Sequence, residues 1–317
     1  MTLVLSESEV GRLLSMGDVV RAVEECFSQT PRGAVNTPRT RTSVPGAVLN
    51  VMHASLPYLG RAGVKCYLSS RKGVRFVFVL FSLEDAEPLA LMGADILGRF
   101  RTGAASAVAT KHLSRMASAR FALAGSGKQA LTQAVAMKEV VKLESVKAWS
   151  PNRAHLEEFI DRLASSGIEA AAASSISDAF ASADIATTIT KSSVPFLGKD
   201  DVVNLSHLNL CGSNHPANAE ATPQAIGEFG TLATDDIDQA KYEAGDLIRA
   251  AEAGSISWER VVQLGEFVSG RAKPDRKTLF KSNGVAIEDV AVASLVYEKA
   301  RQSSESSGTF VEIGKER

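Results

Sequence analysis

The stretch Ala122-Leu123-Ala124-Gly125-Ser126-Gly127-Lys128-Gln129-Ala130 decides the fold. Residues 121–124 are a short apolar run that suits a buried parallel strand, and 129–142 have the composition of a helix. Between them, Gly125, Gly127 and Ala130 fall in the G-x-G-x-x-G/A pattern of a dinucleotide turn. The first glycine permits a tight bend, and the second lets backbone approach a pyrophosphate. The small third residue lets the helix pack on its strand, so the helix N-terminus faces the phosphates. Glycine patterns alone arise by chance in many loops. The strand before this one and the helix after it make Gly125, Ser126, Gly127, Gln129 and Ala130 candidate dinucleotide ligands.

Outward from the turn, strands (121–124, 145–149, 185–190, 202–210) alternate with helices (129–142, 152–165). That alternation predicts βαβ units, a parallel sheet and helices on both its faces. The first region differs. Residues 3–5 read as a strand, Ser6 and Glu9 as a capping box opening a helix near 10–14, and 17–28 as a second helix. Short β-rich runs (48–52, 63–68, 75–81) follow, broken by proline and glycine, and 103–113 form an alanine-rich helix. Residues 287–300 read as a closing amphipathic helix, and the last residues as frayed. The expected architecture is α/β: a Rossmann doubly wound parallel sheet domain at 116–286, plus a mixed α+β domain from 1–115 with 287–317.

Composition fits an ordinary soluble enzyme. The 317 residues have room for two domains, and 45% apolar with 22% charged residues is close to globular averages. With 35 basic against 36 acidic residues, nothing favours nucleic acid or an anionic membrane as partner. Cys26, Cys66 and Cys211 are widely spaced with no C-x-x-C pair, which points to a reducing compartment and away from disulfides or zinc. The start is not basic and its apolar run, Leu3 to Leu5, is too short for a signal peptide or anchor, so the expected address is the cytoplasm. No histidine spacing suggests a metal site.

NAD-specific Rossmann sites place an acid about twenty residues past the glycines, on the ribose 2′-hydroxyl. Here that position reads Ser150-Pro151-Asn152-Arg153, without an acid. Ser150, Asn152 and Arg153 suit a 2′-phosphate better, so the cofactor reading is NADP or NAD, leaning to NADP.

Two more segments carry a resemblance. Arg101-Thr102-Gly103-Ala104-Ala105-Ser106-Ala107 resembles the R-T-x-A-x-S-A helix start of the ornithine cyclodeaminase/μ-crystallin family. Phe280-Lys281-Ser282-Asn283-Gly284-Val285-Ala286-Ile287-Glu288-Asp289 resembles its F-x-S-x-G-x-A-x-x-D signature, and Gly125, Gly127, Gln129 and Ala130 its form G-x-G-x-Q-A. The resemblance spans essentially the whole chain. It implies a Rossmann domain beside a substrate and dimerisation domain, a homodimer, and hydride exchange at the carbon alpha to a carboxylate. It also implies roles. Arg39, or its neighbour Arg41, and Arg101 would bind a substrate carboxylate, and Lys65 would be the active-site lysine. Thr102, Thr190 and Ser282 would lie along the dinucleotide. Forked arginine hydrogen bonds suit a carboxylate, and an ammonium can polarise an imine and donate a proton.

The departure lies at Asn214, where ornithine cyclodeaminases carry aspartate. Asparagine hydrogen-bonds but cannot act as a base. His53 is a lesser departure, standing where many relatives have proline. The expected activity is therefore NAD(P)H-dependent reduction of a small α-imino or 2-oxo acid, for instance 1-pyrroline-2-carboxylate to proline. Ornithine cyclodeaminase, an alanine dehydrogenase-like enzyme and a non-catalytic NADPH-binding protein are the alternatives.

Overall fold

In the computed structural model, which describes residues 1–303 and 307–313, the chain clusters into two units: Met1–Arg101 with Val285–Arg317, and Thr102–Gly284. The first is built on a mixed sheet. Strands β1 (Thr2–Leu5), β2 (Val35–Val44), β3 (Ala47–Leu56), β4 (Arg61–Ser70), β5 (Gly73–Ser82) and β6 (Pro88–Gly93) lie in the order β1-β6-β5-β4-β3-β2. Only β1 and β6 run parallel among these pairs. Alternation along each strand decides which side chains turn inward. Met52, Lys65, Phe78 and Met92 stand opposite one another across β3 to β6, and all four are buried. The other face of the same strands exposes Leu49, Leu68 and Val77.

Helices α1 (Glu7–Leu13), with the expected Ser6–Glu9 capping box, and α2 (Met16–Gln29) precede β2. The closing helix, Ala286–Gln302, is longer than expected and is not amphipathic. It packs on β2 to β5 and also on α1 and α2, so apolar and acidic positions alike are buried, Glu288 and Asp289 among them. The chain end also differs from expectation. Gly308 turns at φ +85° and donates its N–H to Glu9 at 2.9 Å, and Thr309–Val311 then pairs antiparallel with β1. Residues 304–306 and 314–317, included in the frayed reading, lie outside the described residues.

Helix α3 (Asp95–Leu113) begins eight positions before the expected 103. Its first N–H groups, of Asp95 and Ile96, donate to the two carboxylate oxygens of Glu7 at 2.7 and 3.0 Å. A cap from a residue so distant in sequence leaves no local start signal. The division between units falls within α3, after Arg101.

The second unit holds an all-parallel sheet of β7 (Ser118–Ala124), β8 (Lys142–Trp149), β9 (Ala171–Ala172), β10 (Ile185–Thr188), β11 (His207–Leu210), β12 (Thr231–Thr234), β13 (Val261–Gln263) and β14 (Thr278–Lys281). Their order is β13-β12-β14-β11-β10-β7-β8-β9. From β7 the chain winds outward through β8 and β9, then returns to the other side at β10. The switch point therefore lies between β7 and β10, where doubly wound sheets bind ligands outside their carboxyl ends. Helices α4 (Ala130–Val140) and α5 (Arg153–Ser165) cover one face with Met137, Phe159 and Leu163. Phe180, Ile226, Phe229 and Leu247 cover the other. Several expected boundaries shift, β7 and β8 each starting three residues before the expected 121 and 145. Helix α4 stops at Val140, because Val141 is extended and Lys142 already opens β8. The strand expected to reach 190 ends at Thr188, and the one expected from 202 is a short 3-10 turn at Asp200–Val202 before β11. Within this unit the second part of α3 lies close on α4: a Cβ at Gly103 would meet the Thr132 carbonyl oxygen at 2.4 Å.

Candidate active site

In the first unit, three of the expected residues form one charged cluster. Strand alternation turns Lys65 into the apolar side of the sheet, where an ammonium needs a partner. Its Nζ donates to both oxygens of Asp289, each at 2.7 Å. Arg101 donates from Nε to Asp289 at 3.1 Å and from Nη1 to Glu288 at 2.8 Å. Both carboxylates are fully buried, on the first turn and a half of the closing helix. Arg39 sits at a register shift in β2 between Thr37 and Thr40 and is buried, whereas Arg41 is exposed. Burial, and next the Arg101 charge, push the Lys65 pKa down to about 8; Asp289 acts upward, and Arg39 adds to the lowering. A lysine near pH 8 can both donate and accept a proton at ordinary pH.

Composition signalled neither Asp289 nor Glu288, although both stand at the end of the Phe280–Asp289 segment. The signal was available: two adjacent acids on a helix otherwise rich in alanine and valine need buried cations.

In the second unit, the remaining candidates gather at the carboxyl edge of the parallel sheet. Gly125 directly follows β7 with φ +121°, and a Cβ there would meet the Ile189 carbonyl oxygen at 2.6 Å. The position therefore needs glycine both for its backbone and for this close approach. A Cβ at Gly127 would meet no atom within 4 Å. Helices α1, α2, α5, α6 (Ile176–Phe180), α7 (Pro223–Gly227) and α8 (Ile237–Glu243) each start with a side-chain cap. Helix α4, with Gln129 at its N-cap, has none, as is also true of Gly245–Glu252, Leu264–Val268 and the closing helix, and Ala130 packs in the core behind it. An open glycine and an uncapped helix start together fit a pyrophosphate.

Ser126 donates its hydroxyl to Ser150 at 3.0 Å. Asn152 caps α5 by accepting from the His155 N–H, and the exposed Arg153 pairs with Glu157 at 2.8 Å. Thr102 is buried and accepts at its carbonyl from Gln133. Thr190 follows β10 and donates both its N–H and hydroxyl to Glu220. Ser282 follows β14 and is buried, its hydroxyl 3.4 Å from Asp235. Asn214 lies in the loop after β11, half-buried. The sequence reading missed Glu220 and Asp235, both fully buried carboxylates that bind the turns carrying these residues. Their spacing from the glycine motif carries no pattern that would have flagged them.

Among the described residues no group of His, Cys, Asp and Glu could hold a metal ion, and no helix is long and apolar enough to cross a membrane. The cysteines Cys26, Cys66 and Cys211 are free thiols.

A model of the ornithine cyclodeaminase/mu-crystallin family matches residues 1–304. An alanine dehydrogenase from Archaeoglobus fulgidus is 32% identical over 94% of this chain and 95% of its own length. The Thermococcus litoralis Delta(1)-pyrroline-2-carboxylate reductase, solved with NADH and L-proline, superposes with a TM-score of 0.91. It is 29% identical, over 98% of this chain and all of the other. An archaeal alanine dehydrogenase dimer with bound NAD superposes with a TM-score of 0.89 at 30% identity, over 99% of each chain.

Proposed function

The chain belongs to the ornithine cyclodeaminase/mu-crystallin family, and from that premise we propose that it is an NAD(P)H-dependent oxidoreductase acting on the C=N bond of a small α-imino acid. The preferred substrate is a cyclic imine such as 1-pyrroline-2-carboxylate, reduced to proline. The observation that carries this reading is the buried ammonium of Lys65, held by Asp289 and lowered to a pKa of about 8. When bound, the reduced nicotinamide supplies a hydride to the imine carbon. Lys65 gives the ring nitrogen its proton, so one hydride and one proton saturate the bond. Arg39 and Arg101 hold the carboxylate through charge-assisted hydrogen bonds, and Asp289 keeps the Lys65 and Arg101 side chains oriented.

The first unit is thus the substrate domain and the second the dinucleotide domain. Gly125, Ser126, Gly127, Gln129 and Ala130 would hold the pyrophosphate, Thr102, Thr190 and Ser282 the nicotinamide side, and Ser150, Asn152 and Arg153 the adenosine ribose. The lack of an acid among residues 150–153 favours NADP over NAD. The Arg153–Glu157 pair is exposed on both sides and therefore weak enough to yield to a 2′-phosphate. The exposed Leu49, Leu68 and Val77 supply an apolar face for a second copy of the chain, and the archaeal alanine dehydrogenase neighbour is a dimer. The three free thiols suit a reducing compartment such as the cytoplasm.

A second reading, reductive amination of a 2-oxo acid, is favoured by the similarity to alanine dehydrogenase. Ornithine deamination is disfavoured because Asn214 cannot serve as a base. Nicotinamide fluorescence under a substrate panel separates the readings. NADPH or NADH oxidation fastest with 1-pyrroline-2-carboxylate is the expected result. Faster oxidation with pyruvate and ammonium selects the second reading, and ammonia release from ornithine selects cyclodeamination. Binding of dinucleotide without turnover of any of these acids would make the chain a carrier and end the proposal.

A further inference from the structure

Behind the carboxyl edge of the parallel sheet lies a second ion cluster, which the proposed chemistry does not use. Glu220 is fully buried and accepts four hydrogen bonds. Thr188 Oγ1 and the Gly212 N–H donate to one oxygen at 2.7 and 2.8 Å; the Thr190 N–H and hydroxyl donate to the other, both at 2.7 Å. These donors come from two separate segments, the end of β10 with the turn that follows it and the loop after β11. Gly212 is glycine for this reason: a Cβ there would meet Glu220 Oε1 at 2.2 Å and the Thr190 carbonyl oxygen at 2.3 Å.

Glu220 is itself fixed from behind. Its N–H and that of Ala221 donate to Asp246 Oδ1 at 2.6 and 3.0 Å. Asp246 pairs through its other oxygen with Lys281 at 3.0 Å, and Lys281 Nζ donates to the Ser213 carbonyl at 2.8 Å. Lys281 is the last residue of β14. The cluster therefore ties together the ends of β10, β11 and β14, just before Thr190, Asn214 and Ser282. A purely apolar filler could pack this space but could not fix three loops in register, since it offers their N–H groups no acceptor.

We infer that Glu220 is a positioning residue for the dinucleotide, its carboxylate holding the Thr188–Thr190 turn and the Gly212–Asn214 loop in the arrangement that binds it. The inference rests on the reading of this edge as the dinucleotide site and adds a residue to it. Glu220→Gln replaces one acceptor oxygen with an amide that confronts donors already in place, at the same volume.

The test uses the full chain. Dissociation constants for NADPH and NADH are read from nicotinamide fluorescence without substrate, alongside the melting temperature and steady-state rates. Glu220→Gln is expected to weaken dinucleotide binding about tenfold or more and to raise KM for the dinucleotide, with kcat changed far less. Ile226→Ala, a cavity in the core of the same unit, should lower the melting temperature while leaving the dissociation constant within about twofold. If Glu220→Gln proves insoluble, Thr188→Val removes one donor at constant shape and should weaken binding about threefold. Unchanged dissociation constants in the soluble Glu220 or Thr188 variant would overturn the inference, as would equal weakening by Ile226→Ala. Failure of the wild-type chain to bind either dinucleotide would instead overturn the site reading, and the inference with it.

Discussion

Two buried lysines, one in each unit, face carboxylates yet are driven in opposite directions. Lys65 meets Asp289, but it also feels the charges of Arg101 and Arg39, and its pKa falls to about 8. Lys281 meets Asp246 and, more remotely, Glu220; burial works against its charge, but these anions outweigh it and hold the pKa above the ordinary value. The same residue type in a similar degree of burial thus has its proton loosened in one place, as the proposed proton donor requires, and held in the other. What differs is the sign of the surrounding charge rather than the depth.

That contrast is easiest to break by deleting each ammonium. Lys65→Met should lower kcat for imine reduction about a thousandfold while the dinucleotide dissociation constant stays near wild type. Unchanged turnover would remove Lys65 from the chemistry. Lys281→Met leaves Asp246 and Glu220 buried without their cation, and should cost about 3 kcal/mol or more of unfolding free energy in a denaturant titration. A loss below about 1 kcal/mol would show that the second cluster is not held by charge. The smallest effect concerns a surface rather than a cluster. If the proposed dimer forms through this sheet face, Leu68→Glu should shift its sedimentation toward monomer, with the fold retained by circular dichroism.

Much of the second unit was legible in the sequence, because its elements are local. A strand, a glycine turn and a helix are contiguous from Phe121 to Val140, and small apolar residues at the right spacing announce them. Lys65, Arg101 and Arg39 were reached through motif resemblance, and the alternation of β4 alone would have turned Lys65 inward. Which acids hold them was not legible, although two adjacent acids on an apolar helix signal buried cations somewhere. Asp289 is 224 positions from Lys65, and Glu7 caps a helix that begins 88 positions later. Closures of that length leave no periodic trace, since the ladder and the helix fix only neighbours in the chain. The closing helix was misread for a related reason. It is packed from both sides by elements of its own unit, and a helix covered all round has no polar face to betray its orientation. Arg39 and Arg41 could not be separated because a register shift, invisible to alternation, buries the first.

The central claim, that Lys65 serves as proton donor with its pKa set by its charged neighbours, is tested most directly by the pH dependence of kcat/KM for 1-pyrroline-2-carboxylate reduction in the wild type and Asp289→Asn. The protonated lysine is required, so the wild-type value should be level below about pH 8 and fall as pH rises through it. Asp289 raises the Lys65 pKa, so its removal should move that fall about one to three units toward acid, the substrate's own titration being common to both proteins. Superimposable profiles, or a wild-type profile flat to pH 10, would contradict the account.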